Sequence, residues 1–355
     1  MDTRLEYQDG LTRYCPPVRR ALITGIGGQD GFILARDLLA EGRQVIGTVR
    51  PGTIWRADVM TYLKGLDGLQ VVEHDVRDGV GFGHLIEKHN FDEIYNLASF
   101  SSVGLSWDNA ELVSEINGMA VLRMLEALRL YQDRNGSAPR LYQASTSEVF
   151  GLADEQPQTE TTPHHPRSPY AVAKSFAHHL VVNYRESYGL FTSSGIQYNH
   201  ESPLRGAGFV TRKITRAAAE IALGRRDSLN LGNLDVRRDW GHALDHVRCM
   251  RLMLEADDGM DYVVATGATH RLEDFLETAF AAAGIDDPWR YVHQDPDLLR
   301  PAEVMETRGD ATKAREQLGW VPEISFDQMI EEMVRVELRR VETGVEHSLD
   351  YVPTR

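Results

Sequence analysis

Short apolar runs alternate with amphipathic stretches through the first half of this chain. Arg20-Ala21-Leu22-Ile23-Thr24 is an apolar run that stops at glycines, and an apolar-periodic helix is predicted over Ile33–Ala40. A second strand is predicted at Gln44–Val49, with others at Leu69–Glu73, Glu93–Leu97, Arg140–Ala144 and Thr192–Gln197 and helical patterns between them. That alternation predicts an α/β fold on a doubly wound parallel sheet. After residue 198 the pattern becomes mixed. Helices are predicted at about 211–223, 242–256, 271–283 and 325–341, and short strands at 228–231 and 261–265. The expected organisation is an N-terminal arm (1–18), a sheet domain (19–198, rejoined by about 232–267), a smaller C-terminal α/β lobe (199–231 and 268–345) and a tail (346–355). No internal repeat or low-complexity tract interrupts it.

A length of 355 residues suits one large α/β unit or two closely joined domains. The net charge of −15 argues against nucleic acid, an anionic membrane surface or acidic partners in general. A phosphate-ester substrate would therefore have to be held by local arginines against an unfavourable field. Cys15 and Cys249 make no disulfide framework and show no metal-ligand spacing, so no metal is expected. No apolar run approaches membrane-spanning length and residues 1–18 are too polar for a signal peptide, which points to the cytoplasm.

Thr24-Gly25-Ile26-Gly27-Gly28-Gln29-Asp30-Gly31 lies between the first strand and the first helix. Glycines at 25, 28 and 31 let bare backbone approach a pyrophosphate at a helix N-terminus, the phosphate-binding turn of a Rossmann dinucleotide fold. The tight-turn alternative is weaker at this position. Where an NAD enzyme places Asp or Glu after the second strand, this chain has Thr48-Val49-Arg50, followed by Arg56. A positive group there suits the 2′-phosphate of NADP. Asp75, with Val76 beside it, follows the third strand and is placed for the adenine amine, although an ordinary turn aspartate fits as well. Gly25, Gly28, Gln29, Asp30, Gly31, Arg50, Asp75 and Val76 are the candidate cofactor contacts.

Tyr170 and Lys174 share one helical face, so an ammonium next to the phenol should favour the phenolate and make Tyr170 a base. Alone, the pair fits a solvated helix face equally well. Ser145-Thr146-Ser147-Glu148 follows the strand Leu141–Ala144, at the end of a parallel sheet that faces the ligand crevice. Thr146 is placed to share a hydrogen bond with Tyr170. Glu148 is either ordinary turn polarity or a base for an elimination; a simple ketoreductase or 4-epimerase has no use for a carboxylate there.

These motifs together resemble the extended short-chain dehydrogenase/reductases. The resemblance narrows to the GDP-mannose 4,6-dehydratase family through blocks at 25–31, 143–148, 166–174, Asn199-His200-Glu201-Ser202-Pro203, 209–214, 231–235, Arg238-Asp239-Trp240-Gly241-His242-Ala243 and Arg300-Pro301-Ala302-Glu303-Val304. It implies an internal redox cycle on a GDP-sugar with NADP. Tyr170, Lys174 and Thr146 would oxidise C4, Glu148 would take the C5 proton, water would leave from C6 with proton help from Ser147 or Glu148, and hydride would return to C6. It implies that Asn199, Lys213, Arg238 and Arg300 hold the diphosphate, Glu303 the ribose, and that Val210 lines a guanine pocket.

The chain departs from the family pattern in places. Phe100 and Ser102 stand where the family has Gln and His, beside the nicotinamide and sugar, so a modified mannose or a heptose is an alternative substrate. A double arginine becomes Arg50-Pro51 with a shorter loop, which weakens the implied NADP preference and tetramer contacts. The arm at 1–18 has no counterpart. A homodimer or homotetramer is expected, with helices at 110–130 and 170–187 as dimer elements. The competing readings are a nucleotide-sugar epimerase or 4-ketoreductase and a non-enzymatic NADP(H) sensor.

Overall fold

The computed structural model describes residues 18–53, 57–298 and 302–354. Its main sheet contains β1 (Arg20–Thr24), β2 (Gln44–Val49), β3 (Gln70–Glu73), β4 (Glu93–Asn96), β5 (Arg140–Ala144) and β6 (Thr192–Gln197). The chain then forms β7 (Asn199–Glu201), β8 (Leu229–Leu231), β9 (Arg237–Arg238) and β10 (Trp240–His242) outside this sheet, and returns to its edge as β11 (Tyr262–Val264). The order is β3-β2-β1-β4-β5-β6-β11, and every pairing is parallel. The order reverses between β1 and β4, which places the ligand crevice at the carboxyl ends of those strands.

Two helical layers cover the sheet, whose central strands β1 and β4–β6 are largely buried. On one side α1 (Gln29–Ala40) packs through Leu34 and Leu38, near Tyr62 of α2 (Ala57–Leu63) and Met250 of α8 (Ala243–Glu255). On the other, Phe82 and Ile86 of α3 (Gly79–His89), Leu125 of α5 (Ala120–Asn135) and Val181 of α6 (Pro169–Tyr188) are buried together, α5 being preceded by the short α4 (Ala110–Ser114). A second core gathers Ile214 of α7 (Val210–Ala222), Phe275 and Phe280 of α9 (Leu272–Ala282) and Met333 of α11 (Phe326–Thr343). The short α10 (Thr312–Leu318) packs back against β11 and α8. Small sheets β12-β9-β14, β13-β8 and β10-β7 complete this part, with β12 at His270–Arg271, β13 at Val292–Gln294 and β14 at Glu306–Thr307. Each fully buried large apolar side chain contributes roughly 1.5–3 kcal/mol, so the second core is a substantial unit in its own right.

Local details differ from the sequence expectation. Helix α1 starts at Gln29, not Ile33, because its first turn is polar and glycine-bearing and carries no apolar period. The helix expected over 110–130 is interrupted by a π-helical turn at Glu115–Met119. The stretch read as a tail is packed down: Tyr351 is buried, Glu346 pairs with Arg212 and Arg216, and the Pro353 carbonyl accepts from Arg36. Cys249 is a buried free thiol, while Cys15 lies outside the described residues. Among the described residues no helix is long and apolar enough to cross a membrane.

Candidate active site

The glycine loop joins β1 to α1 with little space to spare. Gly25 has a φ of +71°, and a Cβ there would lie 2.8 Å from the Ala98 backbone nitrogen. A Cβ on Gly31 would lie 2.6 Å from the Gly25 carbonyl oxygen. Gly28 is the N-cap of α1 and no side chain caps this end, so the first N–H groups of the helix remain available to an anion. The cradle therefore fits a dinucleotide pyrophosphate. Gly31→Ala is expected to displace the loop, lowering stability by about 1–3 kcal/mol and abolishing dinucleotide binding, as measured by thermal unfolding and titration with nicotinamide dinucleotides.

A chain of buried amides crosses the carboxyl ends of the central strands. Thr24 Oγ1 donates to Asn96 Oδ1 (2.6 Å), Asn96 Nδ2 to Gln143 Oε1 (2.8 Å) and Gln143 Nε2 to the Ala144 carbonyl (2.9 Å). Lys174 Nζ donates to that same carbonyl at 3.0 Å. Lys174 and Tyr170 lie in the first turns of α6, whose start is set by the Ser168 N-cap, accepting from the Ala171 N–H at 3.1 Å, and by Pro169. After β5, Thr146 caps a single 3₁₀ turn, Ser147–Val149, which holds Ser147 buried and Glu148 half-buried.

The electrostatics at Tyr170 involve more than its helix partner. Burial pushes the phenol up to about 12, the Thr146 hydrogen bond lowers it, Glu148 raises it, and Arg205 lowers it. Lys174 is hydrogen-bonded elsewhere than to the phenol. It lies 5.9 Å from the Tyr170 ring centre, tethered to Ala144, and burial drops its own pKa to about 8. A cation acting on the phenol is Arg205, stacked 3.6 Å above Phe209 and ion-paired at 2.9 Å to buried Glu201. Lowering the Lys174 pKa from 10.5 to about 8 corresponds to about 3 kcal/mol of unfavourable charge burial. This cost is fully present below pH 8 and disappears as pH rises towards 10.5. Lys174→Met is therefore expected to unfold about 2 kcal/mol later at pH 7, after loss of one hydrogen bond, with the advantage shrinking in alkaline urea titrations.

The other sequence-derived residues fall into distinct places. Gln29 and Asp30 belong to the loop, but their side chains turn away from it: Gln29 bonds the His200 carbonyl and Ser202, and Asp30 bonds His200. Asp75 pairs with Arg77 at 2.6 Å, whose hydrogen bond holds it at about 2, and Val76 is buried. Arg50 is exposed after β2. Arg238 donates to Glu303 at 3.1 Å, while Lys213 donates to the Asn230 carbonyl at 2.7 Å. Val210 opens α7 and is partly exposed, and Asn199 opens β7. Arg56 and Arg300 lie outside the described residues. Phe100 packs against Val113, Tyr170 and Ala173, and Ser102 Oγ accepts from the Leu105 N–H.

Sequence reasoning missed Asn117, Glu201 and Arg205. Asn117, in the π-helical turn, accepts from Ser99 Oγ and the Phe100 N–H and donates to the Phe100 carbonyl, fixing the segment beside Tyr170. No local spacing announces an amide that bonds a loop 17 residues earlier. Glu201 and Arg205 lie in and just after a quoted block, where their i, i+4 spacing was the available signal.

The sequence model of the GDP-mannose 4,6 dehydratase family matches residues 22–333. A GDP-mannose 4,6-dehydratase from Yersinia enterocolitica is 44% identical over 357 residues, covering 91% of this chain and 95% of its own. The human GDP-mannose 4,6 dehydratase is 42% identical, with 92% and 94% covered. Among solved structures, a dTDP-glucose 4,6-dehydratase from Streptomyces venezuelae, with NAD bound, superposes with a TM-score of 0.79 at 25% identity, covering 92% of this chain and 98% of that one. A family match over most of the length, with relatives this similar, places the chain in the GDP-mannose 4,6-dehydratase family.

Proposed function

We propose that this chain converts GDP-mannose to a GDP-4-keto-6-deoxy sugar with loss of water. The observation that carries the reading is the Glu148 carboxylate within electrostatic reach of the Tyr170 phenol, on a strand end shared with Thr146. When bound, the nicotinamide cofactor supplies the hydride acceptor at C4 and the donor at C6, so the cycle has no net oxidation. Tyr170, bonded to Thr146, takes the proton of the sugar 4-hydroxyl. The ketone acidifies C5, and Glu148 removes that proton. Ser147 and Glu148 lie next to each other to protonate the departing 6-hydroxyl. Lys174 orients the strand end through the Ala144 carbonyl. Asn199, Lys213, Arg238 and Arg300 hold the diphosphate, Glu303 the ribose and Val210 the guanine. Arg238 is pre-set for this by its bond to Glu303, and its planar fork suits phosphate oxygens.

NADP is the proposed cofactor because Arg50, rather than a carboxylate, follows β2. A homodimer is proposed from exposed Leu105, Trp107, Leu112, Val172 and Phe176 on the α4–α6 side, and the cytoplasm as the site of action. Phe100 against Tyr170 favours a second reading in which the hexose is a modified mannose or a heptose. The test is product mass after incubating GDP-mannose or a GDP-heptose with catalytic NADP or NAD. The expected product has lost one water, without net NADPH. A product of unchanged mass from every sugar would replace dehydration by epimerisation.

A further inference from the structure

One buried imidazole has no part in the steps above. His200, in the middle of β7, is 9% exposed. Its Nδ1 lies 2.7 Å from the Tyr198 carbonyl oxygen, and its Nε2 lies 2.9 Å from Asp30 Oδ2. A carbonyl can only accept. The same holds for Asp30: burial acts to raise its pKa, but the charge and hydrogen bond of His200, then Gln29 and Arg205, hold it at about 2. A neutral imidazole has one N–H, so only a doubly protonated ring serves both acceptors at once.

The surroundings are arranged for that charge. His246 of α8 stacks on His200 with ring centres 4.4 Å apart and an 18° tilt. Its Nδ1 meets Gln197 Oε1 at 2.6 Å, the amide orientation being fixed by Gln197 Nε2 donating to the Tyr142 hydroxyl. Its Nε2 is buried without a hydrogen-bond partner among the described residues. Burial and then the charge of His200 push His246 well below its ordinary value, with His242 acting the same way and Asp30 against, so it remains neutral. The remaining groups facing the pair are Arg205, which opposes the His200 charge, Glu201, which feels both His200 and Asp30, and Tyr142, which feels Asp30.

The first turn of α1 is thereby bonded repeatedly to the β7 segment. Asp30 grips His200, Gln29 Nε2 donates to the His200 carbonyl at 3.2 Å, and Ser202 Oγ donates to Gln29 Oε1 at 2.8 Å. Asn199 is the next residue on the same strand, which pairs with β10. We propose that His200 is a positioning residue, an imidazolium latch that locks the glycine loop to the strand bearing Asn199 so that the cofactor and sugar halves of the site keep one register. The inference rests on the dinucleotide reading of that loop and deepens it.

The latch has a working range. Burial lowers the His200 pKa, but the charge and hydrogen bond of Asp30 outweigh it and raise it above 6.5. Its contribution is complete below pH 6.5 and is lost as pH rises through that higher folded value. The Asp30 contribution is complete above pH 3.8 and is lost as pH falls through about 2. The loop should therefore come free as pH rises above that folded value.

Two measurements on the full chain decide this. In ¹⁵N-histidine NMR, with His200 assigned by its disappearance in His200→Gln, both ring nitrogens are expected to carry protons at pH 6. A singly protonated ring would overturn the latch, whether or not the variant folds. In displacement kinetics, wild-type NADP release is expected to quicken by about ten- to a hundredfold as pH rises through the His200 titration seen by NMR. Folded His200→Gln and Asp30→Asn should release NADP faster at pH 6, with no such pH step. Matching profiles in wild type and variants would also overturn it. A chain that holds no NADP at any pH would instead defeat the cofactor reading, and the NMR result would still decide the protonation on which the latch depends.

Discussion

Tyr170→Phe is expected to lower kcat for dehydration by about 10²–10⁴-fold while changing KM far less. The substitution removes one oxygen and leaves the ring packed against Phe100, Val113 and Ala173, so the loss reports the proton transfer and not the fold. The free phenol sits near 12 because burial outweighs the Thr146 bond and the charge of Arg205. A base with a raised pKa is more fully in its active form as pH rises. Wild-type kcat/KM should therefore climb with pH on its acid side, and residual activity in Tyr170→Phe should lack that limb. Steady-state rates from pH 6 to 10 with product mass as readout test this. Full turnover by the variant would remove Tyr170 from the mechanism.

Glu148→Gln should be comparably damaging, about 10²–10⁴-fold in kcat, but at a different bond. The amide keeps the size of the carboxylate and cannot take the C5 proton, so solvent deuterium should no longer enter C5 in D₂O. The same change has an electrostatic consequence that can be separated from catalysis. Glu148 raises the Tyr170 pKa, so its neutralisation should move the phenol titration to lower pH, visible by ultraviolet difference spectra. Undiminished C5 exchange in the variant would assign the proton to another group. An unshifted phenol would place the Glu148 charge farther from Tyr170 than the structure has it.

Much of the fold was legible because it is encoded locally. Apolar runs marked β1, β2 and β5, and the glycines at 25, 28 and 31 marked the turn between β1 and α1. Thr146, Ser147, Glu148, Tyr170 and Lys174 could be read from short motifs. Other features had no local signature. The Asn117 amide, in a π-helical turn, reaches back to Phe100, and the tail docks through Glu346 and Tyr351. The first turn of α1 was missed because polar residues and glycine carry no apolar period.

By itself the sequence determined which chemical groups are present and on which elements they lie: a glycine-rich turn between a strand and a helix, a tyrosine on a helix start, and a carboxylate after a strand. Only the tertiary structure decided how those groups act on one another. It tethers Lys174 to Ala144, brings Arg205 into the field of Tyr170, and turns Gln29 and Asp30 towards His200. The physical reason is that burial and through-space charge set the pKa of a buried group. Both depend on neighbours far apart in sequence: Asp30 and His200 are separated by 170 residues and meet at 2.9 Å.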